Sequence, residues 1–332
     1  MRKVNSRAQD PKHAQIPTAP FYVLLVALFA LYLYFQAVPF LALLFGLLLM
    51  VVFVLLIVFE IVGSVKEEGF LRSVLEMAFA IAIVLLLWYG AKALLRTAYP
   101  LDVVPSCSMQ PSLNRGDMIL LQGVTNVKDL NAPVVGVSEP AFARMSNNQS
   151  DEFLECVAYK SSDGRLYTSQ MLGQGYSVGL YDPLTGGIIP QAAQSGNLVQ
   201  YTCGTTRVSF SNGTTGTEAY TAAVTIAGTT IIGDKNNSVV VYQTSPLDLF
   251  YKLGDDYVVH RLYAIINASG NYYLLTKGDN NPGLDMQFEN YPIGISDLQG
   301  KVIASVPYLG YIKLIFVKSF TEPAGCNVTM SD

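Results

Sequence analysis

The chain predicts about three N-terminal transmembrane helices followed by a mostly β domain into which a second β lobe is inserted. Three observations carry this. Residues Phe21 to Phe59 contain no charged side chain, and Met77 to Ala91 form a second uncharged run. Beyond Pro100 the composition turns to Gly, Ser, Thr, Asn and Tyr, with few charges. There, short β-branched and aromatic runs alternate with Gly, Asp and Asn, the punctuation of strands and turns. Charged residues make up only 14% of the chain, against about 25% in a soluble domain, and 51% of residues are hydrophobic.

The first apolar stretch, Phe21 to Val62, is about twice the ~20 residues that cross a ~30 Å hydrocarbon core. Pro39 lies near its middle, removes a backbone donor and disfavours helix at the residue before it. The stretch therefore divides into helices over about 19–37 and 40–62 joined by a tight turn, with one long kinked span as the alternative. A third helix is expected over about 73–95, so that 19–98 forms the anchor. The tail, 1–18, carries Arg2, Lys3, Arg7 and Lys12, and the 64–72 loop adds Lys66 and Arg72. The turn at 36–39 has no basic residue. The positive-inside rule then puts the tail and the 64–72 loop in the cytoplasm, although Lys92 and Arg96 count against it. The expectation is a multi-pass protein of the cell membrane, with everything after about Tyr99 on the extracytoplasmic side. Sequons at Asn148, Asn212, Asn236, Asn267 and Asn327 all fall in that outer part.

Strand-like runs in the outer part include Met118–Gln122, Val239–Tyr242, Tyr257–His260, Tyr272–Thr276 and Lys301–Ala304. They define a core made of 99–130 and 238–318. Residues 131–237 differ in character, being rich in Gly, Ser and Thr with runs such as Ala222–Ile226, and read as the inserted lobe. Residues 319–332 read as a C-terminal tail. The stretch Tyr308–Val317 is too short to span a membrane; it either lies in the interface or forms a final strand on the core.

Several chemistries are disfavoured at once. The net charge of −4 offers no nucleic-acid footprint. The acids nearest the spans, Glu60 and Glu76, sit near helix ends, which argues against an ion pathway. Four cysteines, Cys107, Cys156, Cys203 and Cys326, show no CxxC pair or Cys/His metal spacing. Cys156 and Cys203 either form one disulfide in an oxidising compartment or stand as two free thiols. Cys107 reads as a small packing residue, turned by strand alternation to the face opposite its neighbours.

The chain has two histidines, and His13 lies in the tail. His260 is therefore the only imidazole able to serve chemistry on the outer face. Around it the sequence carries ordered motifs. Pro105-Ser-Cys-Ser-Met-Gln-Pro-Ser-Leu-Asn-Arg-Gly-Asp117 has the pattern S-x-S-M-x-P-x-L-x-x-G-D. Val258-Val-His-Arg261 follows, then Thr276-Lys-Gly-Asp-Asn-Asn281 and Asp285, then Gly300-Lys-Val-Ile-Ala-Ser-Val-Pro-Tyr-Leu-Gly310. In this order they resemble the boxes of type I signal peptidases, in the archaeal and endoplasmic-reticulum branch where a His replaces the Lys base. The resemblance covers about 103–130 and 238–312, and neither the inserted lobe nor the membrane hairpin.

That resemblance implies a membrane-bound serine endopeptidase that removes signal peptides from secretory preproteins, without metal, nucleotide or other cofactor. It makes Ser108 the nucleophile and His260 its general base, since a neutral hydroxyl needs a base to take its proton during attack. For the carboxylate that orients the imidazole it offers Asp285, the better match, and Asp279, the alternative. Where the family often has two adjacent acids, Leu284 precedes Asp285. The backbone N–H of Ser108 and the hydroxyl of Ser106 match the oxyanion donors. The implied partners are signal peptides, membrane lipid and the protein-export channel, with no nucleic acid. The rival reading is a membrane-tethered surface or adhesion glycoprotein without catalytic activity.

Overall fold

The computed structural model describes residues 18–35, 38–68, 70–145, 153–160, 166–167, 176–183, 185–316, 323 and 325–331. They divide into two compact units, Met1–Gly90 and Ala91–Asp332.

In the first unit the uncharged runs form helices, the state in which a lipid-embedded backbone bonds within its own segment. They are α1 (Ala19–Tyr34), α2 (Pro39–Glu68) and α3 (Phe70–Leu95). Pro39 opens α2 at the first helical position, where its missing N–H costs nothing. The helix runs past the expected end at Val62 because Val65, Lys66, Glu67 and Glu68 impose no break. Phe21 packs on Phe59 with ring centroids 5.1 Å apart, and the Tyr22 hydroxyl lies 3.2 Å from Glu60 Oε1. The chain thus reverses between α1 and α2 instead of continuing as one kinked span. Among the described residues, two segments are long and apolar enough to cross a bilayer: Phe40–Glu60 with 21 residues and Val74–Leu95 with 22. The third apolar helix, α1, has 16 residues. At 1.5 Å per residue such a helix rises about 24 Å, short of a ~30 Å core.

The second unit is a mostly antiparallel β domain. In chain order it contains β1 (Leu101–Val103), β2 (Met118–Gln122), β3 (Val134–Val137), α4 (Glu139–Met145), β4 (Glu155–Lys160), β5 (Leu166–Tyr167), β6 (Tyr176–Asp182) and β7 (Gly187–Ile189). Then come β8 (Val199–Phe210), β9 (Thr215–Ile226), β10 (Thr229–Ile231), β11 (Val239–Gln243), α5 (Leu249–Lys252) and β12 (Tyr257–Ala268). The chain ends with β13 (Asn271–Lys277), β14 (Ile293–Gly294), β15 (Leu298–Val306), α6 (Tyr311–Phe316) and β16 (Val328–Ser331). The main sheet has the order β1-β2-β15-β11-β12-β13-β14, and β3 pairs with β12. Two four-stranded sheets, β10-β9-β8-β16 and β5-β4-β6-β7, make up the lobe.

Three segments differ from the boundaries the sequence implied. Val134–Val137, expected in the lobe, joins the main sheet parallel to Ile265–Ala268. It continues the edge of β12 that β11 leaves after Arg261, burying Val135. The last residues, expected as a tail, form β16 on the edge strand β8 of the lobe. Val328 and Met330 alternate onto Val208, which gives this strand an apolar face. Tyr311–Phe316 is not a final strand but the short helix α6, with Leu314 buried. It follows a turn in which Tyr308 takes φ 58° and a Cβ at Gly310 would strike Val103 and the Gly116 carbonyl.

One hydrophobic cluster joins lobe and main sheet: Leu154, Leu180, Tyr201 and Ile226 pack with Ala264, Ile266, Leu275 and Met286. A second, with Val240, Tyr242, Val258 and Leu262, lies on the same face of β12 as His260. The core fixes the register of β11 against β12, and that register sets Val240 opposite His260.

Candidate active site

Ser108 sits in the loop between β1 and β2, and the S-x-S-M-x-P-x-L-x-x-G-D pattern explains how that loop is held. Met109 is fully buried and Leu113 nearly so, both packed on Ile119, Leu121, Val241 and Val259. Gly116 takes φ +85°, a left-handed conformation that favours glycine, with a Tyr311 ring where a Cβ would go. The Asp117 carboxylate accepts the Asn114 N–H at 2.8 Å and the Tyr308 N–H at 3.1 Å. Burial pushes this carboxyl up, and those two N–H groups partly offset it. Arg115 Nε donates to the Pro105 carbonyl at 3.0 Å. Two apolar plugs and two polar ties thus hold the loop that carries the hydroxyl.

His260 comes from the first half of β12 and is 2% exposed, so its ring has little freedom to turn. Its Nε2 lies 3.0 Å from Ser108 Oγ, and its Nδ1 lies 2.7 Å from Asp285 Oδ2. Phe250 stands edge-on to the imidazole, centroids 5.8 Å apart. Asp285 opens a single 3₁₀ turn, Asp285–Phe288, and is itself buried. Asn290 Nδ2 donates to the Asp285 carbonyl at 3.1 Å. Gln287 ties the same turn to the lobe, donating to the Leu154 carbonyl at 2.6 Å and accepting the Thr221 hydroxyl at 2.9 Å.

The charge of Asp285 settles the tautomer. Burial raises its pKa most strongly. The charge of His260, then its hydrogen bond, the neighbouring Thr276 hydroxyl and the hydrogen bond from Tyr242, outweigh burial and leave the carboxyl below its ordinary 3.8. An ionised carboxylate only accepts, so Nδ1 must be the protonated nitrogen. Nε2 then presents a lone pair toward Ser108 Oγ. The Tyr242 hydroxyl donates to the same Oδ2 at 3.0 Å, whereas Oδ1 is buried with no hydrogen-bond partner among the described residues. Thr276 lies close enough to lower the Asp285 pKa but outside hydrogen-bonding geometry to Oδ1.

The two candidate acids separate cleanly. Asp279 does not reach the imidazole. It forms a two-pronged pair with Arg261, Nε to Oδ1 at 2.8 Å and Nη2 to Oδ2 at 2.7 Å. Arg261 follows His260 in a strand, so its side chain leaves from the opposite face and carries Asp279 with it. The same guanidinium donates to the Asn237 carbonyl at 2.8 Å and to Ser112 Oγ at 3.2 Å. Asp279 thus holds the scaffold behind the site, and the carboxylate facing His260 is Asp285.

Ser106 Oγ lies 3.1 Å from Ser108 Oγ. The backbone N–H of Ser108 donates to no group among the described residues, whereas its carbonyl accepts the Asn280 N–H at 2.7 Å. Cys107 is not a plain packing residue: it is buried and disulfide-bonded to Cys326. Cys156 and Cys203 are the second disulfide, and the described residues hold no free thiol. Two participants carried no signal as such in the sequence. Tyr242 was visible only as the last residue of a strand, and Asn280 only as part of the Thr276–Asn281 motif. Among the described residues no cluster of three or more His, Cys, Asp or Glu is grouped to hold a metal.

No protein-family model matches this chain, and no curated protein matches it either. The arrangement itself is a hydroxyl bonded to an imidazole whose other nitrogen faces a buried carboxylate. Such a set can move a proton from the hydroxyl to the imidazole while the oxygen attacks an acyl carbon.

Proposed function

We propose that this protein is a membrane-bound serine endopeptidase that removes signal peptides from secretory preproteins, with Ser108, His260 and Asp285 as its triad. One observation carries the reading. Ser108 and His260, 152 residues apart, meet at 3.0 Å, and Asp285 completes the line at 2.7 Å from the other ring nitrogen.

The reaction follows from those contacts. Ser108 Oγ attacks the scissile carbonyl carbon as its proton passes to His260 Nε2, and Asp285 stabilises the resulting imidazolium. The oxyanion accepts hydrogen bonds from the Ser108 N–H and, once it turns from Oγ, the Ser106 hydroxyl. His260 then gives its proton to the leaving amine, which departs as the new N-terminus of the mature protein. Water, deprotonated by the same imidazole, hydrolyses the ester on Ser108 and releases the signal peptide.

The substrate class rests on the ordered motifs and on the anchor. The basic tail and the basic residues Lys66 and Arg72 favour a cytoplasmic N-terminus; counting the short helix α1 as a third crossing, beside the two longer spans, would put the β domain outside. Two disulfides in that domain agree with an oxidising compartment. β1 is an edge strand running directly into Ser106 and Ser108, suited to pair with an extended peptide. The specificity implied by the resemblance is for small side chains one and three residues before the cut.

The test is cleavage of a labelled preprotein by the full-length protein in liposomes. Ser108→Ala and His260→Ala are each expected to lower the rate about 10⁴-fold or more. Full activity in either variant would remove the mechanism, and an inert wild type would remove the substrate assignment.

A further inference from the structure

The C-terminal residues converge on the nucleophile from a distance no catalytic mechanism requires. Cys326 is bonded to Cys107, the residue immediately before Ser108, across 219 positions of sequence. Two residues later the chain enters β16, which lies along β8 of the lobe from Val328 to Ser331. Val328 and Met330 are buried against Val208, with Phe210 and Tyr220 beside them. This end of the chain is therefore fixed to the lobe on one side and to the nucleophile loop on the other.

Asn280 is the third party. Its Nδ2 donates to the Val328 carbonyl at 2.8 Å and to the Cys107 carbonyl at 3.2 Å. Its Oδ1 accepts the Met330 N–H at 2.7 Å, and its backbone N–H donates to the Ser108 carbonyl at 2.7 Å. One asparagine thus bonds the backbone of β16, of Cys107 and of Ser108. Only a side-chain amide, with two donors and an acceptor on one plane, makes the bonds to Val328, Cys107 and Met330 together; the bond to Ser108 comes from the backbone N–H.

We infer that residues 325–331 are a strap that positions Ser108, with Asn280 as the positioning residue that couples strap to nucleophile and the inserted lobe as its foundation. The inference rests on Ser108 being the nucleophile. It gives the lobe a role: β8 supplies the rigid edge to which the strap is fastened. A nucleophile held from both its carbonyl and its preceding residue keeps its hydroxyl in line with His260. Misplacement by about 1 Å is enough to cost about 10²-fold in rate.

The experiment compares preprotein cleavage by the full-length wild type, Asn280→Asp, a Cys107→Ser/Cys326→Ser pair and a Cys156→Ser/Cys203→Ser pair. Asp fills the volume of Asn but cannot donate to the two carbonyls. Asn280→Asp and the 107/326 pair are each expected to lower kcat about 10- to 100-fold with KM changed less than about threefold. The 156/203 pair joins β4 to β8 at Cys203, short of the Arg207–Phe210 stretch that carries β16, and is expected to keep kcat within about threefold whatever its melting temperature does. Equal kcat in wild type and Asn280→Asp overturns the strap. So does a fall in kcat that the 156/203 pair shares, because general loosening would then explain it. If the wild type itself leaves the preprotein uncut, the peptidase reading fails first and the strap falls with it.

Discussion

The Tyr242 hydroxyl lies 3.0 Å from Asp285 Oδ2, the same carboxylate oxygen that faces His260 Nδ1 at 2.7 Å. Burial, then the charge of Asp285, pushes the tyrosine pKa well above 10, so it remains a donor at every working pH. Its hydrogen bond favours the ionised carboxylate and helps keep Asp285 below its ordinary value. Tyr242→Phe is expected to raise the Asp285 pKa and weaken the support given to the imidazolium. A hydrogen bond to a charged group is worth about 1.5–3 kcal/mol, so kcat should fall roughly 10- to 100-fold. A pH–rate series on the purified variant checks it, and a profile and kcat identical to wild type would leave Tyr242 as packing alone.

Asp285 and Asp279 should respond differently to the same chemical change. In Asp285→Asn the amide can donate to Nδ1, which forces the proton onto Nε2 and leaves no lone pair for Ser108. The expected loss is about 10⁴-fold in kcat without a drop in melting temperature. Asp279→Asn removes the partner of a largely buried guanidinium and should act on stability, by about 1–3 kcal/mol. Its kcat, measured well below its melting temperature, is expected to exceed that of Asp285→Asn by at least about tenfold. The reverse ranking would mean that the carboxylate beside His260 is not the one that orients it.

Much of this site is legible in the amino-acid sequence, and the reasons are physical. Strand alternation and turn residues located the runs that became β2, β11, β12, β13 and β15; the first four carry buried apolar residues, whereas β15 leaves Ile303 and Val306 exposed. The motifs around Ser108, His260 and Asp285 gave the order of the three groups. Choosing between the two acids needed the position of Arg261, which takes Asp279 to the far face of β12. Tyr242 stayed hidden because an aromatic at the end of a strand reads as core. Its hydroxyl acquires a role only through the pairing of β11 with β12 and the fold of the 285–288 turn. The Cys107–Cys326 bond was missed because strand alternation cast Cys107 as a packing residue, although the Cys156–Cys203 pairing, which did form, leaves these two as the remaining pair.

Gly278 tests how tightly the loop that carries Ser108 is sandwiched. A Cβ there would stand 2.7 Å from the Ser108 carbonyl oxygen and 2.7 Å from Asn281 Nδ2. The first of these is backbone, already bonded to the Asn280 N–H, and cannot swing aside as a side chain end would. Gly278→Ala must therefore push the 278–281 segment and the Ser108 carbonyl apart. The expected result is a fall in kcat of about 10²-fold at nearly constant KM. Unchanged kcat would mean that the loop yields without moving the hydroxyl.

Glu218, on β9 of the lobe, gives a pH signature separate from that of His260 and Asp285. Burial raises its carboxyl above the ordinary 4.5. Glu155, on β4, lines the same cavity and is raised by burial and then by the charge of Glu289. A carboxyl whose pKa is higher folded than unfolded binds more protons in the native state over the interval between the two values. Stability is then greatest below about 4.5 and declines as pH rises through the folded value. Glu218→Gln removes the cost of ionising the buried group. Its melting temperature should match wild type near pH 4 and exceed it near pH 7.5, with the gap opening progressively between. Melting curves recorded across that range decide it, and two lines that stay parallel would show that Glu218 ionises as freely in the folded lobe as in the unfolded chain.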